Sequence, residues 1–100
     1  MNLSTITIPD GQIADFCRRW KISELSLFGS ALREDFRPDS DVDLLVEFEP
    51  EAQVGFMTLS RMQRELSAIL HRQVDLVPKG GLKRRIRKTV LSSAKVLYAA

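Results

Sequence analysis

Cysteine, histidine, tryptophan and tyrosine occur once each among the 100 residues of this chain. A lone Cys17 excludes an internal disulfide and fits a reducing, cytosolic setting. No stretch approaches the ~18–20 continuous apolar residues that a membrane span needs. The opening segment, MNLSTITIPD, lacks the basic start and apolar centre of a secretory signal. These absences predict a cytoplasmic protein with no membrane association. No acidic residue follows Asp75, and Tyr98 is the only aromatic near the basic residues beyond it. A stacking platform for single-stranded nucleic acid is thereby disfavoured.

What is present reads as one globular domain spanning residues 1–100, with 44% apolar and 28% charged residues. The formal net charge of +2 conceals a division along the chain. Residues 1–75 hold all 13 acidic groups, whereas residues 76–100 hold Lys79, Lys83, Arg84, Arg85, Arg87, Lys88 and Lys95 with no acid. An acidic body beside a basic tail suits a metal ion next to a polyphosphate; alternatively, the basic run is the solvated face of a helix.

Turn-forming clusters at Pro9–Gly11, Arg37–Ser40, Glu49–Glu51 and Pro78–Gly81 divide the chain into elements. Ile13, Phe16, Cys17 and Trp20 form a helical stripe, with Asp10 as N-cap and Cys17 and Trp20 as core. A short strand at Glu24–Phe28 stops at Gly29-Ser30, where a short helix carrying Ala31, Leu32 and Arg33 begins. In the next strand, Asp41–Phe48, alternation places Val42, Leu44, Val46 and Phe48 on one face and Asp41, Asp43, Leu45 and Glu47 on the other. A helix over Val54–His71 with Leu59, Met62, Leu66, Ile69 and Leu70 inward follows, ended by His71 as a cap. Met57 and Met62 read as filler for the core or a partner surface. The remaining elements are a strand at Gln73–Val77, a basic helix from Leu82 to Leu91 with Leu82, Ile86 and Val90 inward, and an edge strand at Ala94–Tyr98. This order predicts an α/β (α+β) fold, a small mixed sheet with helices on one face.

Two features call for chemistry. Gly29-Ser30 sits where a strand gives way to a helix; taken alone the pair is most often a plain turn and cap, but the free N–H groups of such a junction can also seat phosphate. Asp41-Val42-Asp43 puts two carboxylates on one face of an apolar strand, where like charges repel unless solvent or cations relieve them. Hard divalent ions such as Mg²⁺ take such oxygen donors. Asp75 lies between Val74 and Leu76, and it joins the pair if its strand neighbours Val42–Phe48. Two metal ions in close proximity need several bridging oxygens, which three carboxylates provide. A calcium loop is excluded: Asp39, Asp41 and Asp43 mimic its first ligands, but Leu44 stands where glycine is required and Pro50 where glutamate is. Glu47, farther along the strand, reads as a surface charge.

Leu27-Phe28-Gly29-Ser30, ten further residues, and then Asp41-Val42-Asp43 resemble the GS-x₁₀-D-x-D signature of the polymerase-β-like nucleotidyltransferases. The longer string LFGSALREDFRPDSDVDLLVEF resembles the minimal nucleotidyltransferases, the MNT-domain antitoxins. Glu34 departs from the pattern, since glycine is common there. The resemblance implies two Mg²⁺ ions held by Asp41, Asp43 and Asp75, with Asp75 also helping to deprotonate an attacking hydroxyl. It implies ATP as substrate, its phosphates held by Gly29 and Ser30, with Arg33 paired to phosphate or a carboxylate. It further implies transfer of AMP to a hydroxyl, typically tyrosine, of a helical HEPN-type ribonuclease toxin, with release of pyrophosphate. Since relatives with other acceptors append a further domain, the acceptor surface is expected from another chain; self-association is left open.

Two other classes compete. A catalytically silent antitoxin would neutralise its partner by complex formation alone, though retention of Gly29, Ser30, Asp41 and Asp43 argues against it. A nucleic-acid-binding module would work through Lys83–Lys88 and bind in a salt-dependent way.

Overall fold

A computed structural model gives the fold and describes residues 2–3, 6–29, 41–82 and 84–100. The chain runs β1 (Asn2–Leu3), β2 (Ile6–Thr7), α1 (Asp10–Arg19), β3 (Ile22–Phe28), β4 (Val42–Phe48), α2 (Phe56–Leu70), β5 (Val74–Pro78), a 3₁₀ turn at Lys79–Gly81, α3 (Arg84–Ser93) and β6 (Lys95–Ala99). β1 and β2 form a small antiparallel pair of their own, which no pattern in the sequence announced. The other four strands make one sheet in the order β5-β4-β3-β6. β4 pairs antiparallel with β3 and parallel with β5, so the sheet is mixed, as expected.

The alternation in β4 determines what each face does. Val42, Leu44 and Val46 are fully buried and join the core with Leu25 and Leu27 of β3 and Val74 and Leu76 of β5. Two helices close that face. α1 contributes Ile13, Phe16 and Cys17, and α2 contributes Met62, Leu66 and Leu70 at spacings of four, one stripe of a helix. Leu59 and Ile69 pack against this core from partly buried positions. Met62 is core, whereas Met57 and its neighbour Phe56 are each 84% exposed. Leu45, on the opposite face, is also buried, and Leu82 ahead of α3 is buried as well.

Local chemistry explains the boundaries. Asp10 is the first residue of α1 and not its cap: Pro9 occupies that position without a side-chain cap bond, and Asp10 places a negative charge in the first turn instead. α2 ends at His71, which adopts left-handed geometry (φ 55°) and donates its N–H to the Ser67 carbonyl. Trp20 is partly buried, not fully core; its Nε1–H donates to Glu65 Oε2 at 3.0 Å and joins α1 to α2. Among the described residues, no helix is long and apolar enough to cross a membrane.

Candidate active site

Three strands converge on one spot. β3 brings Phe28 opposite Asp43 on β4, and β5 brings Asp75 opposite Asp43 from the other side. The Asp43–Asp75 pairing lies in a parallel ladder whose rungs run Val42–Val74, Asp43–Asp75, Leu44–Leu76, Leu45–Val77 and Val46–Pro78. Partners on adjacent strands lie about 4.8 Å apart and project to the same face, so Asp43 and Asp75 leave the sheet as neighbours there. The face they occupy is the one turned away from α1 and α2. Asp41 is exposed and lies immediately ahead of β4, one side-chain period before Asp43. Asp75 is exposed and Asp43 half-buried.

Gly29 completes the cluster. Its φ of +72° is a left-handed conformation that glycine adopts without strain. A Cβ at this position would collide with Asp43 Oδ2 and lie only 3.2 Å from Asp43 Cγ. Glycine is therefore required here on two grounds, and the chain can turn tightly against the Asp43 carboxylate only because no side chain intervenes. The Gly-Ser junction points to phosphate, whereas the close approach of Gly29 to Asp43 leaves no trace in the sequence.

At the far end of the same strands, Lys79 Nζ donates to Glu47 Oε2 at 2.7 Å. That hydrogen bond holds the Lys79 ammonium above the ordinary lysine range. Glu47 is thus exposed, as read, but paired. Arg87 and Leu91 of α3 line a groove with Glu47, Lys79 and Gly80. Cys17, by contrast, lies in the core, where burial pushes its thiol up to about 12. It has no place in the site.

The donor set is chemically suited to a hard divalent cation: carboxylate oxygens, with no sulfur or imidazole among them. Among the described residues, no three His, Cys, Asp or Glu side chains stand close enough together to hold an ion as they are. Asp43 and Asp75 are neighbours by register, and Asp41 lies one side-chain period ahead of Asp43. Ser30, Arg33, Glu34 and the short helix expected after Gly29 lie outside the described residues, as does Lys83.

Residues 10–97 match the nucleotidyltransferase domain family. The chain belongs to that family. Among curated relatives of this nucleotidyltransferase domain, the protein adenylyltransferase MntA of Thermococcus cleftensis is 41% identical over 73 residues, covering 73% of this chain and 72% of that one. Among solved structures, a toxin–antitoxin with AMP-PNP superimposes with a TM-score of 0.74 at 21% identity, over 92% of this chain and 74% of that one. A complex of tri-AMPylated Shewanella oneidensis HEPN toxin with MNT antitoxin aligns with a TM-score of 0.66 at 20% identity, over 91% of this chain and 70% of that one. At those identities the two solved structures bear on the fold, which is that of the polymerase-β-like nucleotidyltransferases.

Proposed function

We propose that this nucleotidyltransferase is the antitoxin of a toxin–antitoxin pair and transfers AMP from ATP to a tyrosine hydroxyl of a helical HEPN-type toxin. The observation that carries the reading is the Asp43–Asp75 rung with Gly29 pressed against Asp43. Two like charges held on one face of a sheet are unfavourable by themselves, and an arrangement that keeps them adjacent is rational where cations and phosphate meet. The relatives support the same direction: one is named a protein adenylyltransferase, and the names of two structural neighbours carry an ATP analogue and an AMPylated HEPN toxin.

In this reading Asp41, Asp43 and Asp75 hold Mg²⁺, and the residues of the whole chain act as one domain in the cytoplasm. When bound, the ions supply charge neutralisation at the attacking and leaving oxygens. The chain's own residues do the rest. Gly29 and Ser30 offer backbone N–H groups to the β- and γ-phosphates, and Arg33 pairs with phosphate or with a neighbouring carboxylate. Asp75, on the exposed edge of the pair, accepts the proton of the incoming hydroxyl. The hydroxyl oxygen bonds to the α-phosphorus, the bond to the β-phosphate oxygen breaks, and pyrophosphate departs.

The test is incubation of the chain with labelled ATP, Mg²⁺ and a HEPN-type partner. Label on the partner, lost in Asp43→Asn and Asp75→Asn, is the expected result. An unlabelled partner, or equal labelling by the Asp43→Asn/Asp75→Asn double variant, overturns the reading. Neutralisation of the toxin in cells by that double variant would leave a binding antitoxin in its place.

A further inference from the structure

β5 is an edge strand, with β4 on one side only, and its outer edge would ordinarily present unpaired N–H groups. Two side chains of α2 fill that role. The Val74 N–H donates to Ser67 Oγ at 3.0 Å, and the Leu76 N–H donates to Gln63 Oε1 at 2.8 Å. Gln63 and Ser67 are four residues apart, on one face of the helix, while Val74 and Leu76 are two apart on the strand. The helix rise over four residues, about 6 Å, nearly matches the strand rise over two, about 6.6 Å, so the two acceptors meet alternate N–H groups. Ser67 is further tied: its hydroxyl donates to the Gln63 carbonyl at 2.9 Å, and its own carbonyl accepts from the Arg72 N–H at 3.2 Å in the turn that launches β5.

Asp75 is the residue between the two clamped N–H groups. On the inner side, the Val42 N–H donates to the Gln73 carbonyl at 2.8 Å and starts the ladder that sets Asp75 opposite Asp43. A slip of one residue would turn Asp75 to the opposite face and bury it against the core. We infer that Gln63 and Ser67 are positioning residues, which fix the register of β5 and thereby hold the Asp75 carboxylate beside that of Asp43. Each acts through a backbone N–H group of β5 that flanks Asp75. The inference rests on the proposed role of Asp75 for its functional consequence, though not for its structural one.

The experiment compares the full chain with Gln63→Leu, Ser67→Ala and their double variant. Gln63→Glu keeps an acceptor oxygen for the Leu76 N–H, and Ala68→Gly, at an exposed position, weakens α2 while leaving both acceptors in place. The first readout is independent of activity: nuclear Overhauser contacts between Asp43 and Asp75, with amide exchange at Val74 and Leu76. The double variant should lose those contacts and exchange both amides at least about tenfold faster, while Gln63→Glu and Ala68→Gly keep the contacts. Unchanged contacts and protection in the double variant overturn the inference. The second readout is the Mg²⁺ concentration for half-maximal AMP transfer. It should rise about tenfold in the double variant, with kcat at saturating Mg²⁺ largely retained, and return toward the parent value in Gln63→Glu. A fall in kcat at an unchanged Mg²⁺ requirement, matched by Ala68→Gly, would mean general loosening and would also overturn it. If the parent chain transfers no AMP, the proposed function fails, and the first readout still decides the register.

Discussion

Glu47 and Lys79 extend the β4–β5 ladder beyond its last backbone rung: their 2.7 Å ion pair continues the row that begins with Asp43 and Asp75 and passes through Leu45 and Val77. One face of two strands therefore carries an acid pair, an apolar pair and an opposite-charge pair in succession. The pair is well exposed, so solvent screening limits its contribution to less than about 1 kcal/mol. Lys79→Ala should lower stability by that small amount in dilute buffer and by less at high salt, read by urea denaturation. Because the folded-state value of Lys79 is raised, the contribution is complete below the ordinary lysine range and disappears as pH rises through the folded value.

Gly29→Ala should be severe for its size. A methyl group there meets Asp43 Oδ2 and must also adopt a left-handed conformation. A loss of about 1–3 kcal/mol in thermal stability is expected, together with loss of AMP transfer. Gly11→Ala is the control: it lies within α1, a Cβ there meets nothing within 4 Å, and alanine should raise stability by up to about 1 kcal/mol.

Asp75→Asn should separate stability from activity. Removing one of two adjacent like charges should raise the metal-free melting temperature, by the equivalent of about 0.2–1 kcal/mol. AMP transfer should fall more than about 100-fold, since even residues behind a metal ligand commonly cost 10–100-fold. A decrease in both would mean that Asp75 supports the fold.

Cys17 should resist thiol reagents at neutral pH until the chain unfolds, because it is buried and its thiol is pushed up to about 12. The unfolded thiol ionises first, from about 9.0, so stability should decline as pH rises from there toward about 12. Labelling kinetics across a urea series provide the measurement.

The main elements were legible because their signals were periodic. The Met62, Leu66, Leu70 stripe and the alternation of Val42, Leu44 and Val46 define burial directly, and both faces of β4 emerged as read. Elements without such signals were not. β1 and β2 are two residues each, too short to show a period, and α1 begins at Asp10 because Pro9, with its fixed φ, takes the cap. In the candidate site, the carboxylate types and the GS junction could be read from the chain itself. That Asp75 stands opposite Asp43 depended on β5 pairing parallel to β4, a tertiary fact. The Gln63 and Ser67 bonds to β5 were illegible for the same reason: polar residues on a helix read as solvent-facing until a strand edge is found beside them.

The two flanks of the sheet are not equivalent. Beyond β5 the Val74 and Leu76 N–H groups are already taken by α2, whereas among the described residues no strand pairs with the outer side of β6, where Val96 is 49% exposed. The open edge of the sheet is therefore β6, while α2 occupies the N–H donors along β5. The exposed Lys95 at the head of β6 is the charge that any stacking of copies along that flank would have to overcome.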